Sequence, residues 1–171
     1  VMPSSQLPDP AEWHGLCAAH GLTVWNSVPA LVEVFAAFAE ETGKVIPQTL
    51  RLAMMSGDWI PVNLPATLTL INPEMDVISL GGATEASIWS IYHHIRNNSP
   101  DWKSIPYGRT LANQTIHVLK HWLDSCPVWA TGEIFIGGIG VAREYYNSPD
   151  RTAASFVHHP RTGERLYRTG D

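Results

Sequence analysis

The chain has 171 residues, a formal net charge of −5 and an apolar fraction of 44%. This length predicts one domain or two small ones, with enough apolar residues for a hydrophobic core. The acidic balance and the absence of a lysine–arginine cluster argue against nucleic-acid binding, and the apolar stretches are too short to span a bilayer.

The cysteine pattern bears on location. Cys17 and Cys126 have neither the spacing of a metal site nor that of a disulfide framework. We therefore expect two reduced thiols in a cytoplasmic protein. No signal-peptide pattern opens the sequence. Neither Val1 nor Asp171 is typical of a natural terminus, so we expect a piece of a longer protein.

Two helices are predicted near the start of the chain. Asp9 as N-cap and Pro10 at the first helical position begin one helix, and Gly21 ends it. A second helix begins at Pro29 and ends near Gly43. Its inward-facing residues are predicted to be Leu31, Val32, Phe35, Phe38 and Ala39.

Three strands alternate with these helices. LTVWNSV (22–28) is predicted to be a buried strand, TLRLAMM (49–55) the second strand and DVISL (76–80) the third. A further helix before the third strand is predicted to start late because Pro61 and Pro65 crowd its beginning. Alternating strands and helices with short connections predict parallel βαβ units.

The second half changes character. TIHVLK, EIFIGG and ERLYRTG are short alternating runs separated by Gly, Pro and Asp, which favours antiparallel β structure. One amphipathic helix is predicted near residues 150–157. The predicted fold class is therefore α/β, with a parallel βαβ layer followed by a β-rich segment.

Small and polar residues follow each of the three strands. They lie at Asn26 to Pro29, at Ser56 to Asp58 and at Gly81 to Glu85. Ligands of open parallel sheets bind outside the carboxyl ends of the strands. Ordinary βα turns favour the same residue types, and composition alone favours that second interpretation.

The stretch ISLGGATEASIW (78–89) is the most unusual of the three. Gly81 and Gly82 allow a sharp turn and a close approach to the backbone. Thr84 and Glu85 then offer a hydroxyl and a carboxylate. This set suits an anionic ligand that is held together with a metal ion.

Several motifs together resemble those of a known family. GGATE, GEIFIGGIGVAREYYN and YRTGD, in this order, resemble the core motifs of adenylate-forming enzymes, and more narrowly the adenylation domains of nonribosomal peptide synthetases. WNSVPAL, SGDWIP and SLGGATEASIW are similar to the siderophore-type subgroup that activates cysteine. The resemblance covers essentially the whole chain.

The resemblance implies a fold and a division of the chain. Residues 1–105 would form half of one αβ layer, carrying the substrate pocket and GGATE. Residues 106–171 would form part of a β-barrel that ends in YRTGD. Together they would belong to the large N-terminal portion of such an enzyme.

The resemblance also implies a reaction, in which an amino-acid carboxylate joins the α-phosphate of ATP and the acyl group passes to a carrier-protein thiol. Thr84 would lie near the α-phosphate, Glu85 would hold Mg²⁺ and Asp171 would bind the ribose hydroxyls. The implied nucleotide-binding residues are Gly57, Gly81, Gly82, Thr84 and Asp171. Neighbouring synthetase domains are the other implied partners.

An amino-acid pocket is implied as well. Its lining residues would be Asn26, Met54, Ser56, Leu80, Ile88 and Trp89. This compact, mostly apolar set suits a small side chain such as that of cysteine. Two alternatives stay open: another small or hydrophobic amino acid, and a non-catalytic structural or interaction piece of a synthetase. Taken singly, Met54, Leu80 and Ile88 are more typical of sheet core.

Two departures from the family pattern limit these expectations. Gly81, Gly82 and Ala83 stand where most members have an aromatic residue, Gly and Pro, so the aromatic that lies against adenine is missing. The glycine-rich phosphate loop and the lid with its catalytic lysine are not among the 171 residues. We assign no catalytic residue and expect this polypeptide alone to be inactive.

The paired histidines suggest no metal site. His93-His94 and His158-His159 lack the spacing of ligands on one helix face. We expect both pairs to lie at the surface.

Overall fold

A computed structural model describes residues 9–96 and 102–171. The chain forms two compact units, Val1–Leu80 with His93–Tyr107 and Gly81–Tyr92 with Gly108–Asp171. The segment that carries GGATE therefore groups with the second unit. The proposed division into 1–105 and 106–171 stays a prediction.

The first unit alternates helices and strands. Its elements are α1 (Pro10–His20), β1 (Val24–Ser27), α2 (Pro29–Thr42), β2 (Leu52–Met55), α3 (Leu64–Ile71) and β3 (Asp76–Gly81), the last residue of which enters the second unit. The three strands pair in parallel in the order β1-β2-β3. The predicted parallel βαβ units are confirmed.

The helix termini follow local chemistry. Oδ1 of Asp9 accepts a hydrogen bond from the backbone nitrogen of Ala11 at 2.9 Å, which caps α1. Gly21 ends α1 with φ 56° and Gly43 ends α2 with φ 65°, both in the left-handed region. The predicted N-cap and both predicted stops are confirmed, and α3 starts late at Leu64, as expected.

One face of the first unit's sheet forms the core with all three helices. Trp25 of β1 stacks on Phe35 of α2 with ring centroids 4.8 Å apart, and meets Trp13 of α1 edge-on at 5.5 Å. Leu68 of α3 belongs to the same buried cluster. The odd-numbered strand residues in it are Ala53, Met55 and Val77.

The other face of this sheet is open. Val24 keeps 45% of its surface exposed. It lies on β1, the first strand in the sheet order, and its side chain points away from the helices. The expectation that residues 22–28 form a buried strand is therefore wrong. Their Val, Trp and Leu content reflects burial of only one face of the strand.

A fourth strand, β4 (Ile91–His94), lies next to β3 in the sheet order. In the first unit, His94 Nε2 lies 2.7 Å from a carboxylate oxygen of Asp76. His93 packs edge-on against Trp102 at 5.6 Å, and burial lowers the pKa of His93. Both histidines are half-buried rather than fully at the surface.

The second unit is mainly antiparallel. β5 (Arg109–Thr110) pairs antiparallel with the start of β4. A four-stranded sheet has the order β6-β7-β9-β8, with every pair antiparallel. Its elements are β6 (Gln114–Leu119), β7 (Glu133–Gly138), α4 (Pro149–Ser155), β8 (Phe156–His158) and β9 (Arg165–Arg168). The predicted antiparallel segment is confirmed.

The predicted amphipathic helix over 150–157 is shorter than expected. It ends at Ser155, because Phe156 and Val157 pair with Tyr167 and Leu166 of β9. No residue of α4 is buried, so this helix has no apolar face in the core.

The expectation for the second histidine pair is wrong for His159. Only 8% of this residue is exposed. Its Nδ1 accepts hydrogen bonds from the backbone nitrogens of Arg161 and Thr162, at 3.2 and 3.3 Å. The histidine therefore fixes the turn between β8 and β9.

The two cysteines differ in exposure. Cys17 is a buried free thiol and Cys126 a half-exposed one. Over residues 9–96 and 102–171, no helix has the length and apolar character needed to cross a membrane.

Candidate functional site

Four of the predicted pocket residues lie on the open face of the first unit's sheet. Asn26 lies directly beside Met54, and Met54 beside Ile78, in the strand register. Side chains alternate between faces along a strand, so Ser56 follows Met54 and Leu80 follows Ile78 on the same side. The structure therefore groups Asn26, Met54, Ser56 and Leu80 on the face opposite the helices.

The burial of this group suits a recognition surface. Asn26 is exposed, so its amide does not need an internal partner, whereas Met54, Ser56 and Leu80 are half-buried. The backbone nitrogen of Ser56 donates to the carbonyl of Ser27 at 3.3 Å, which holds the β2 end against β1. The next residue, Gly57, turns the chain with φ 84°.

In the second unit, the GGATE segment forms a closed turn. The backbone nitrogen of Ser90 donates to the carbonyl of Gly81 at 2.7 Å. Gly82 has φ 153°, and a Cβ at this position would lie 2.6 Å from both the Ile88 carbonyl oxygen and the Ser90 nitrogen. The group that approaches Gly82 is therefore its own chain, which explains the glycine without a ligand.

The same turn contains backbone strain. After the 3₁₀ turn Thr84–Ala86, Ser87 and Ile88 have φ of 65° and 71°. A positive φ is unusual for a β-branched residue. The Ile88 nitrogen donates to the Ala83 carbonyl at 3.0 Å, and Ser87 Oγ donates to the Gly140 carbonyl at 2.9 Å. These bonds hold the turn, and the Ile88 side chain stays 65% exposed.

Glu85 lies at the centre of a hydrogen-bonded group. The hydroxyl of Tyr145 donates to its Oε1 at 2.6 Å, and the Ala142 nitrogen donates to its backbone carbonyl at 2.7 Å. The hydrogen bond from Tyr145 holds the pKa of Glu85 below its usual range, and the charge of Arg151 adds to this effect. The carboxylate is therefore ionised at neutral pH.

Tyr167 lies against the same pair. Its burial, its hydrogen bond to Tyr145 and the charge of Glu85 all raise its pKa, so the phenol stays protonated. Phe156 contacts both tyrosines, with ring centroids 5.4 Å from each. The guanidinium of Arg151 lies 4.0 Å from the centroid of the Tyr145 ring. The Glu85 carboxylate is thus surrounded by two phenols and a cation.

The donor set fits a magnesium ion that arrives with a nucleotide. Within the described residues, no group of three or more His, Cys, Asp or Glu side chains could hold a metal ion. Mg²⁺ usually keeps several waters and is bound through one or two carboxylates plus substrate phosphates. Glu85 alone suits that arrangement and would not suffice for a permanent structural metal.

The last residue, Asp171, is held through its own main-chain atoms. Its carbonyl accepts from the Ile134 nitrogen at 3.0 Å, and its own nitrogen donates to Thr169 Oγ1 at 3.1 Å. Gly170 turns the chain just before it, with φ 86°. The residue is exposed at the end of the β-sheet segment.

The predicted site residues thus fall into two groups. Asn26, Met54, Ser56, Gly57 and Leu80 belong to the first unit. Gly81, Gly82, Thr84, Glu85, Ile88, Trp89 and Asp171 belong to the second. Their assignment to one ligand site stays a prediction.

Two residues of the second unit, Tyr145 and Tyr167, were not among the predicted site residues. Tyr145 contacts Glu85 from 60 positions away, so no local spacing pattern could indicate the pair. Tyr167 lies within the ERLYRTG run, predicted as a strand, and begins the YRTGD motif, but it was given no role of its own. Only the tertiary fold brings the hydroxyls of these two tyrosines beside the carboxylate of Glu85.

A parallel αβ layer followed by an antiparallel sheet defines a protein of the mixed α/β class. The family model described as AMP-binding enzyme matches residues 1–146. The chain therefore belongs to the AMP-binding enzyme family.

Similar proteins include two bacterial synthetases. Over 155 residues the chain is 49% identical to bacitracin synthase 1 of Bacillus licheniformis, covering 88% of this chain and 3% of that protein. Over 164 residues it is 47% identical to pyochelin synthetase PchF of Pseudomonas aeruginosa strain UCBPP-PA14, covering 95% of this chain and 9% of that protein.

A solved nonribosomal peptide synthetase, FmoA3 (S1046A), shares the fold. Its AMPPNP-bound form matches with a TM-score of 0.95 and 43% identity, over 99% of this chain and 18% of that chain. The form bound to alpha-methyl-L-serine-AMP matches with a TM-score of 0.94, covering 19% of that chain. The 171 residues thus span a small part of each of these proteins.

Proposed function

We propose that the chain is part of an amino-acid adenylation domain of a nonribosomal peptide synthetase. The complete domain would join an amino-acid carboxylate to the α-phosphate of ATP, release pyrophosphate and pass the acyl group to a carrier-protein thiol. Two synthetase relatives and the bound forms of FmoA3 support this proposal. Because the reaction uses ATP and both cysteines are free thiols, we place the protein in the cytoplasm.

The observation that carries the proposal is the Glu85 carboxylate in the GGATE turn, whose Oε1 accepts a hydrogen bond from Tyr145 at 2.6 Å. A carboxylate held in this way can share a divalent cation with phosphate oxygens. Mg²⁺, bound there with ATP, would neutralise charge as pyrophosphate leaves. Thr84 would contact the α-phosphate and Asp171 the ribose, with Gly81 and Gly82 as backbone contacts.

We propose cysteine as the amino acid. The grouped residues Asn26, Met54, Ser56 and Leu80 offer an amide and a hydroxyl among apolar side chains, which suits a small and weakly polar substrate. For Ile88 and Trp89, which belong to the second unit, a substrate-binding role is proposed from the motif resemblance alone. A second candidate is a small hydroxyl amino acid, because FmoA3 is solved with alpha-methyl-L-serine-AMP.

The test is ATP–pyrophosphate exchange by a complete adenylation domain that carries this chain, over a panel of amino acids. We expect the highest kcat/KM for cysteine and activity with serine lower by about 10-fold or more. A higher value for serine would favour the second candidate. Exchange with none of the amino acids would favour a non-catalytic piece.

Two variants test the proposed roles of Glu85 and Asn26. Glu85→Ala should lower the exchange rate by about 100-fold without preventing folding, because it removes the proposed metal carboxylate. Asn26→Leu should change the amino-acid preference and leave the KM for ATP unchanged. Asn63→Ala, which alters another exposed amide of the same unit, is the matched control and should change neither. Full activity of Glu85→Ala would contradict the metal role.

A further inference from the structure

Tyr145 holds the side chain of Glu85 from a distant part of the sequence. Its hydroxyl donates to Oε1 at 2.6 Å, across a separation of 60 residues. This distance is in the range of charge-assisted O–H···O⁻ bonds, which are about twice as strong as bonds between neutral groups. The contact therefore restrains the carboxylate, where a longer neutral bond would restrain it less.

The donor is itself fixed on three sides. The Tyr145 backbone nitrogen donates to Thr152 Oγ1 at 3.0 Å. The Tyr145 ring packs edge-on against Phe156, with ring centroids 5.4 Å apart. The guanidinium of Arg151, a residue of α4, lies 4.0 Å from the centroid of the Tyr145 ring. A donor that is held this firmly loses little further freedom when it binds its acceptor.

The backbone of Glu85 is fixed separately. Its carbonyl accepts from the Ala142 nitrogen at 2.7 Å, and Ser87 Oγ donates to the Gly140 carbonyl at 2.9 Å. These bonds fix the main chain of the turn but leave the torsions of the Glu85 side chain free. Orienting the carboxylate is the task that remains for Tyr145.

We propose that Tyr145 is a positioning residue, whose hydroxyl holds the Glu85 carboxylate in the orientation that receives a nucleotide-bound divalent cation. This inference rests on the proposed function, since it assumes that Glu85 meets the metal. Partners that orient metal ligands commonly contribute about 10- to 100-fold in metal affinity. Tyr145 would act through Glu85 without contacting substrate or nucleotide.

The test measures divalent-cation binding directly, in a complete adenylation domain that carries this chain. Mn²⁺ replaces Mg²⁺ as the probe, and free Mn²⁺ is followed by electron paramagnetic resonance in the presence of AMPPNP. We expect Tyr145→Phe, which keeps the ring and removes the hydroxyl, to weaken Mn²⁺ binding by about 10-fold. The KM for the amino acid should stay unchanged.

A matched control lies next in the sequence. Tyr146→Phe makes the same chemical change on a side chain that is 90% exposed, and it should leave Mn²⁺ binding unchanged. Equal binding by wild type and Tyr145→Phe would overturn the proposal, as would an equal loss in both variants.

A double variant separates the positioning role of Tyr145 from the metal role of Glu85. If Tyr145 acts through Glu85, Tyr145→Phe should add no further loss in a Glu85→Gln background. An additional loss of about 10-fold there would overturn the positioning role. If Glu85→Gln alone leaves Mn²⁺ binding unchanged, the proposed metal role itself fails.

The variant Thr152→Val provides a second test if Tyr145→Phe does not fold. Thr152→Val keeps the phenol but removes the acceptor of the Tyr145 backbone N–H. We expect a smaller loss of Mn²⁺ affinity, about 3-fold, because the hydroxyl becomes less firmly placed. Unchanged affinity in folded Thr152→Val would count against the proposal.

Discussion

Gly82 and Ile88 are in contact across the GGATE turn, where a Cβ on residue 82 would lie 2.6 Å from the Ile88 carbonyl oxygen. The turn can close only if position 82 has no side chain. The contact joins the point where β3 ends to a residue held at φ 71°. Closure of the turn and placement of Glu85 are therefore coupled.

Gly82→Ala should destabilise the protein by about 3 kcal/mol, since the clash involves backbone atoms that cannot move aside easily. The measurement is the free energy of unfolding in urea. Gly163→Ala is the matched control, because Gly163 has φ 70° but a Cβ added there would meet no atom within 4 Å. We expect a cost of about 1 kcal/mol there. Equal costs for the two variants would contradict the proposed clash.

Gly15→Ala should stabilise the protein. Gly15 lies in the middle of α1, it is exposed, and a Cβ there would meet nothing within 4 Å. Alanine is favoured over glycine in a helix interior by about 0.5–1 kcal/mol. The urea midpoint should rise while the slope stays unchanged. A lower midpoint would show that α1 is not helical at this position.

Asp124 should make stability depend on pH in acid. The hydrogen bond and charge of Arg161 hold the pKa of Asp124 below its usual range, with a further hydrogen bond from Trp122. Since the pKa is lower in the folded protein, the stabilisation is fully present above the unfolded value of about 4 and is lost as pH falls through the folded value. The stability difference between wild type and Asp124→Asn should therefore shrink on acidification.

Salt is the control for this ion pair. Both partners are exposed, so about 1 M NaCl, with a Debye length of about 3 Å, should reduce the same difference at neutral pH. A difference that is independent of both pH and salt would show that the pair does not form in solution.

The two thiols should react at different rates. Cys17 is 1% exposed, and burial raises the pKa of its thiol, whereas Cys126 is half-exposed. Thiolates are the reactive species, so a disulfide reagent should modify Cys126 quickly and Cys17 only on unfolding. Cys126→Ser should abolish the fast phase. A fast phase that persists in this variant would mean that α1 opens readily.

Local chemistry made much of the fold predictable. Asp9, Gly21 and Gly43 mark helix ends through caps that depend on neighbouring residues alone, and all three are found in place. Parallel pairing of the first three strands followed from their alternation with helices. These features depend on short segments, which a sequence displays directly.

The sequence-based expectations that proved wrong depended on tertiary contacts. Phe156 leaves the predicted helix because β9 offers Tyr167 as a pairing partner. Val24 is exposed because the helices cover only one face of β1. His159 is buried beside His117 of β6, with ring centroids 6.2 Å apart. In each case the deciding partner is outside the local pattern of the sequence.

For the candidate site, the sequence indicated only residues that lie within contiguous motifs. Glu85 and Asn26 were selected from motifs that are contiguous in sequence. Tyr145, which holds Glu85, lies 60 residues away and has no spacing rule that would indicate it. A motif thus indicates a candidate ligand-binding group more readily than it indicates the side chain that contacts this group.

The alternation of side chains along β1 and β2 has an evolutionary consequence. Residues such as Ala53 and Met55 are buried against helices, and their replacement would disrupt the core. Asn26 and Met54 occupy the opposite face, where a change leaves the helix contacts intact. Under the proposed pocket role of these two positions, a lineage could exchange one amino-acid preference for another through single substitutions there, without first acquiring compensating changes in the core.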